Sequence, residues 1–225
     1  IISHFGRQVD VEASEGERKG EIVRCHMRTN LGQLVTGDNV IWRANPDGGV
    51  VVAKLERKAE LVRPNPYGEM KPVAANIDYI VVTVAVEPLA HANLIDRYLV
   101  AAELSGIEPV ILLNKTDLLN DDNRERIETM LARYQSIGYQ VLHASSSTQN
   151  GLVELKDHLK DRISVFVGQS GVGKSSLINS KATSGLTPRP IALMIGVATK
   201  VATASSALTT TSPSLLTSIL VLVVF

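Results

Sequence analysis

The pattern of hydrophobic and polar positions changes texture once along the chain, near residue 77. Before that point, Arg7–Ala13, Glu21–Arg28, Asn39–Ala44 and Val50–Glu56 alternate or cluster β-branched residues. A period of two predicts strands with one buried face. Turn-forming stretches separate them, at Ser14–Gly20, Leu31–Asp38 and Asn45-Pro46-Asp47-Gly48-Gly49. Four or five short strands in about 60 residues predict a small all-β barrel of SH3-like or OB type. The run from Arg63 to Pro72 holds the prolines and glycine of a linker.

From Ile77 the apolar runs become continuous. Ile77–Val86, Pro109–Leu113, Tyr139–Ala144 and Ile163–Val167 read as strands. Ala90–Ser105, Asp121–Ile137 and Gly151–Lys160 have helical spacing between them. Strands apolar on both faces, alternating with amphipathic helices, predict a parallel sheet covered on both sides. The expected organisation is a β-barrel over residues 1–62, a linker over 63–72 and an α/β domain over 73–225.

Composition sharpens this. Among 225 residues, 23 basic side chains balance 23 acidic ones, so nucleic-acid binding has to rest on local patches rather than on a basic surface. The single cysteine, Cys25, excludes an internal disulfide framework and a cysteine-rich zinc site, and it suits a reducing cytosol. Ile1–Gly6 lacks a charged start followed by an apolar run, so no signal peptide is expected. The balance is uneven: residues 181–225 contain Lys181, Arg189 and Lys200 and no acid, leaving the first 180 residues at net −3. The apolar end, Leu215–Phe225, falls short of the roughly 20 residues a membrane span needs.

The chemistry concentrates in three places. Gly168-Gln169-Ser170-Gly171-Val172-Gly173-Lys174-Ser175 fits G-x-x-x-x-G-K-[ST], directly after a predicted strand and before a predicted helix. Its glycines let successive N–H groups face phosphate oxygens; Lys174 would bridge the β- and γ-phosphates and the Ser175 hydroxyl would ligate Mg²⁺. Asn114-Lys115-Thr116-Asp117 follows the strand Pro109–Leu113, at the carboxyl edge where ligands bind in such sheets. The Asp117 carboxylate can accept from the N1–H and N2–H₂ edge of guanine, the Lys115 stem can lie along the base, and Asn114 can tie this loop to the phosphate loop. Ser145-Ser146-Ser147 ends the next strand, where small residues let backbone N–H groups approach a purine carbonyl.

Order discriminates further. N-K-T-D precedes the phosphate loop by about fifty residues, the reverse of an ordinary GTPase, which marks a circular permutation. With Leu34-Val35-Thr36-Gly37-Asp38, Ala74-Ala75-Asn76-Ile77-Asp78, Asn93-Leu94-Ile95-Asp96-Arg97-Tyr98-Leu99 and Gly168–Ser176, the chain resembles the RsgA (YjeQ) family of circularly permuted, ribosome small-subunit-dependent GTPases from about Ile1 to Ser180. The resemblance implies an OB-fold barrel, a permuted P-loop GTPase domain and a C-terminal zinc domain. It implies GTP hydrolysis, stimulated by the ribosome, in late maturation of the small ribosomal subunit, by a cytoplasmic monomer that contacts rRNA and no membrane. GTP/GDP would be held by Asn114, Lys115, Thr116, Asp117, Ser145, Ser146, Gly168, Gln169, Ser170, Gly171, Val172, Gly173, Lys174, Ser175 and Ser176, with Mg²⁺ on Ser175. Zn²⁺ is expected only in the full-length family member.

The pattern stops after Ser180. No Asp follows Asp161, so the Asp-x-x-Gly segment that senses the γ-phosphate is missing. Thr209-Thr210-Thr211 lacks the glycine and histidine expected before the family's switch threonines and reads as low complexity. Residues 181–225 are therefore expected to be aberrant or incomplete, the chain to bind guanine nucleotide but to hydrolyse it poorly, and the water-activating residue is unknown. In the barrel, Arg7, Arg24, Arg28, Arg43, Lys54, Arg57 and Lys58, with Phe5 and Trp42, are nearly matched by acidic residues and read equally as a solvated face or as a candidate RNA groove, which the family resemblance favours. His26, His91, His143 and His158 follow no metal spacing. Two rival readings stand beside the GTPase: an RNA-binding assembly factor that nucleotide only regulates, and an ATP-dependent enzyme in which N-K-T-D is accidental.

Overall fold

Period-two alternation in the first third builds one sheet. Strands β1 (Ser3–Phe5), β2 (Gln8–Glu12), β3 (Ile22–Met27), β4 (Val40–Asn45) and β5 (Gly48–Lys54) pair in the order β1-β2-β3-β5-β4. Every pairing is antiparallel except that of β3 with β5, which is parallel. The buried positions of β2, Val9 and Val11, alternate as the pattern requires, and they pack with Val23, Cys25, Leu34 and Val51. The computed structural model describes residues 1–65, 67–89, 91–160, 162–178, 189–196 and 219–224, with backbone alone at 63, 64, 189–196 and 219–224.

The segment read as a linker is mostly a hairpin. Strands β6 (Glu60–Pro64) and β7 (Met70–Ala75) pair antiparallel. Prolines signal a linker because they remove a donor, but each strand of a two-stranded ribbon keeps a free edge where that donor is not needed. Asn65 shapes the turn: its side-chain carbonyl accepts from the N–H of Tyr67 at 2.9 Å and of Glu69 at 3.0 Å.

Beyond the hairpin, strands and helices alternate: β8 (Tyr79–Ala85), α1 (Ala92–Leu104), β9 (Glu108–Asn114), α2 (Asp121–Ser136), β10 (Gln140–His143), α3 (Leu152–Leu159), β11 (Ile163–Val167) and α4 (Lys174–Ile178). β10, β9, β8 and β11 lie side by side and parallel. One face of the sheet packs Val82, Val84 and Ile111 against Ile95, Leu99 and Ile127 of α1 and α2. The other packs Val81, Leu112 and Phe166 against Leu152, Leu155 and Leu159 of α3. Burial on both faces is why these strands read as continuous apolar runs.

Local chemistry fixes the helices. Asn120 caps α2, accepting from the N–H of Asp122 and Asn123 at 3.1 Å each, while the Asn123 side chain accepts from the Asn120 N–H at 2.9 Å. Asp121 and Asp122 add negative charge to that first turn, where the helix dipole favours it. Tyr134 of α2 donates to Asp96 of α1 at 2.8 Å; burial first, and the Asp96 bond second, push the Tyr134 hydroxyl up to about 12.

Two further strands, β12 (Arg189–Gly196) and β13 (Ile219–Val224), pair with each other, and β13 lies antiparallel to β11. Part of the apolar end Leu215–Phe225 is thus a strand. The other sequence expectations for 181–225, including Thr209–Thr211, lie outside the described residues. Among those described, no helix is long and apolar enough to cross a membrane.

Phe166 is 1% exposed at the centre of the sheet, whereas Leu104, at the end of α1, is 85% exposed. Phe166→Ala is expected to cost about 3–5 kcal/mol and Leu104→Ala within about 0.5 kcal/mol of nothing, measured by urea unfolding followed by circular dichroism.

Candidate functional site

Four parallel strands deliver four loops to one edge of the sheet, because each strand ends at the same side. These loops follow β8, β9, β10 and β11, and three of them carry the residues singled out from sequence.

The loop after β11 needs glycine at two places. Gly168 has φ +146°, and a Cβ there would overlap the Thr83 carbonyl oxygen on β8. Gly173 has φ +91°, and its Cβ would run into the Asn114 side-chain amide. Backbone therefore lies against backbone on one side and against a polar side chain on the other. Lys174 is 5% exposed and donates to the carbonyls of Gly168 and Gln169, both at 2.8 Å. An ammonium has three protons, so one donor of Lys174 remains beyond these two bonds. Burial pushes its ammonium down to about 8. Ser170, Gly171, Ser175 and Ser176 are exposed, Gln169 is half-buried and Val172 is buried.

The loop after β9 is tied to it by Asn114. That side chain is fully buried, and its amide donates to the Val172 carbonyl at 2.8 Å, across 58 residues of chain. Its other atom, Oδ1, is buried without a hydrogen-bond partner. Lys115 sits in the left-handed region at φ +61°, which turns the chain sharply at the end of the strand. Its Nζ donates to the Glu87 carbonyl at 2.7 Å. Thr116 joins the third loop through its N–H and hydroxyl, which donate to the Ala144 carbonyl at 3.2 and 3.1 Å. Asp117 is exposed, and its carboxylate accepts from the Ser145 hydroxyl. Ser145 is fully buried and accepts in turn from the Thr148 N–H at 3.1 Å, while Ser146 is half-buried.

The sequence-predicted residues therefore gather at one edge, linked through Asn114–Val172, Thr116–Ala144 and Asp117–Ser145. Sequence reasoning missed the loop after β8. Glu87 supplies the carbonyl that holds Lys115, and Pro88 is the neighbour that a Cβ on Gly171 would touch, at 3.8 Å. Its position after a buried parallel strand was the one available signal.

The candidate RNA groove looks different in three dimensions. Arg57 is engaged by Asp38 and Glu60 at 2.7 Å each and its side chain is only 14% exposed. Arg24 pairs with Asp10 and lies 4.9 Å over the Phe5 ring. Trp42 is covered by Arg18 at 5.2 Å. Among the described residues, no group of three His, Cys, Asp or Glu could hold a metal ion.

A family model described as RsgA GTPase matches residues 54–213, past Ser180 where the motif resemblance ends. The small ribosomal subunit biogenesis GTPase RsgA of Azotobacter vinelandii is 57% identical over 181 residues, which are 80% of this chain and 53% of that protein. The protein of the same name from Hahella chejuensis is 55% identical over 179 residues, 79% of this chain and 51% of its own. The chain thus spans about half the length of the curated relatives it matches. The crystal structure of YjeQ from Thermotoga maritima superposes with a TM-score of 0.67 at 35% identity, covering 80% of this chain and 63% of that one. YloQ, described as a circularly permuted GTPase, gives 0.68 at 34%, covering 82% and 63%.

Asn114→Ala would leave the buried Val172 carbonyl unpaired. It is expected to cost about 1–3 kcal/mol of stability in urea unfolding and to free the 168–176 backbone for faster amide hydrogen exchange.

Proposed function

The chain belongs to the RsgA GTPase family, and on that premise we propose that it binds guanine nucleotide across residues 114–117, 145–146 and 168–176. The protein it represents then acts as a GTP-hydrolysing factor in late maturation of the small ribosomal subunit, with turnover stimulated by the subunit. What carries the reading is the Asn114–Val172 bond, which holds a base-recognition sequence against a phosphate-loop sequence.

Residue by residue, Asp117 is an exposed carboxylate suited to the two donors of guanine's N1–H and N2–H₂ edge. Ser145 donates to Asp117 and fixes its carboxylate. Lys115 is held over the site by the Glu87 carbonyl. Glycines in 168–173 let the backbone close on phosphate, and the remaining donor of Lys174 faces a ligand rich in acceptor oxygens. The cost of burying the Lys174 charge, visible in its depressed titration, is offset when an anion arrives.

Ser175 fits Mg²⁺: the residue is exposed and directly follows Lys174 in the chain, and this ion takes few protein ligands, filling its shell with phosphate oxygens and water. When bound, the ion neutralises phosphate charge. Zinc finds no matching donor cluster among the described residues and belongs to the expectation for the full-length protein alone. The remaining parts of the reading are a barrel over 1–62 that contacts rRNA, a connecting segment over 63–72, a nucleotide domain from 73, a cytoplasmic location and a monomeric state.

One observation favours a second reading. No aspartate follows Asp161 in this chain, so nucleotide can serve here as a regulator of RNA docking without appreciable hydrolysis. Turnover of GTP measured with and without small ribosomal subunits separates the two. Stimulation by subunits is expected for the full-length protein, and its absence there overturns the GTPase reading.

Two binding measurements test the site itself. Asp117→Asn is expected to weaken GDP at least about tenfold and to strengthen xanthosine diphosphate, from the loss of a charge-assisted bond of about 1.5–3 kcal/mol. Equal competition by ATP and GTP in the unaltered chain would instead favour an adenine-nucleotide enzyme. The pH profile has a definite sign. Lys174 in the free protein loses its proton near pH 8, and a bound phosphate raises that value. GDP affinity is therefore expected to be level below about pH 8 and to fall above it, by at most about tenfold per pH unit, in a fluorescent-GDP titration.

A further inference from the structure

The residues that join the barrel to the nucleotide domain form a junction with no slack. Thr36, Gly37 and Asp38 lie in the turn before β4, on the barrel side, and Ala74, Ala75 and Asn76 lead into β8. Thr36 and Ala74 form a parallel bridge, and the Ala75 N–H donates to the Thr36 carbonyl at 2.9 Å. Gly37 has φ +90°, and a Cβ there would overlap the Ala75 carbonyl. The two backbones meet at a distance that only glycine permits.

The chain connecting the two bodies is held from both sides. On the barrel side, Asp38 is fully buried and receives Arg57 Nε at 2.7 Å, Arg57 Nη2 at 2.9 Å and the Val35 N–H at 2.8 Å. The same guanidinium donates to the Gln33 carbonyl at 3.0 Å and to Glu60, at the start of β6, at 2.7 Å. On the other side stands Asn76, in the left-handed region at φ +53°. Its amide donates to the Gly37 carbonyl at 2.9 Å and its side-chain oxygen accepts from the Lys58 N–H at 2.8 Å. Its own N–H donates to the Ala59 carbonyl at 2.7 Å. A bidentate pair on a fully buried carboxylate cannot be exchanged for water without leaving a charge unpaired, and a hinge needs residues that absorb rotation. The residues here are committed to bonds on two sides.

From these contacts we infer that the barrel and the nucleotide domain are one rigid body, locked where Thr36 and Gly37 meet Ala74, Ala75 and Asn76, with the Asp38–Arg57 pair keeping the barrel's side of that junction rigid, so that whatever the barrel binds fixes the orientation of the phosphate loop directly. The transmitting element is β8. It leaves the junction at Tyr79 and ends beside the loops of the site, with its Thr83 carbonyl against Gly168 and the Glu87 carbonyl beyond it on Lys115. Arg57 and Asn76 are positioning residues in this scheme and touch no ligand.

The test does not depend on any ligand. Trp42 is the single tryptophan and lies in β4 of the barrel, so its time-resolved anisotropy reports how the barrel tumbles within the whole chain. One correlation time, that of the full chain, is expected for the unaltered protein. Asn76→Asp keeps the acceptor for Lys58 but loses the donor to Gly37, and Gly37→Ala forces the two backbones apart. Either variant that retains native far-UV circular dichroism is expected to gain a second, several-fold shorter time. A shorter time already present in the unaltered chain overturns the inference. So does a folded variant of either kind that tumbles as the unaltered chain does. GDP binding by the folded variants is expected to be unchanged, and its loss in the unaltered chain would count against the proposed nucleotide site alone.

Discussion

The site rests on one buried amide. Asn114 ends β9 with its side chain closed off from water, and its bond to the Val172 carbonyl spans two loops that the chain makes far apart. Solvent cannot replace that bond where it lies, so moving either loop would leave buried polar atoms without their partners. The consequence spreads outward. With 114–117 fixed against 168–173, Thr116 holds Ala144 and Asp117 holds Ser145, and the third loop is drawn in as well. A constellation placed by bonds of this kind is formed before any ligand arrives, which lowers the ordering cost of binding.

Order in space also accounts for tolerance of an unusual order in sequence. In the sheet β10-β9-β8-β11, every strand points the same way, and so every following loop reaches the same edge. Which loop is made first has no bearing on where it ends up. N-K-T-D before the phosphate loop is therefore a different route through the same set of neighbours, consistent with the likeness to YloQ, a circularly permuted GTPase.

Much of this was legible in the sequence. The break near residue 77 separates strands with one wet face, such as β2, from strands dry on both, such as β8, and each leaves its own periodicity. The two glycine-dependent positions, Gly168 and Gly173, and the joining role of Asn114 were readable because the chemistry demands those residue types at that spacing. Other contacts left no such trace. Lys115 is held by a backbone carbonyl, that of Glu87, and a carbonyl has no signature in sequence. Arg57 looked like a groove cation because its partner Asp38 lies 19 residues away and its burial is a property of the fold. The β6–β7 hairpin was hidden by Pro64 and Pro72, which only a ribbon with free edges accommodates.

The arrangement of β11 bears on how the protein is made. A chain synthesised from its amino end completes β8, β9 and β10 first, and these are contiguous in the sheet. Until β11 follows, one edge of β8 stays open and the Asn114 amide has no carbonyl to meet. The half of the candidate site that carries the base-recognition sequence is thus finished while the half that carries the phosphate-loop sequence is still unmade. For a nascent chain, the arrival of one five-residue strand, Ile163–Val167, covers the open edge of β8 and brings the phosphate-loop sequence into place in a single event, and β13 then covers β11 in its turn.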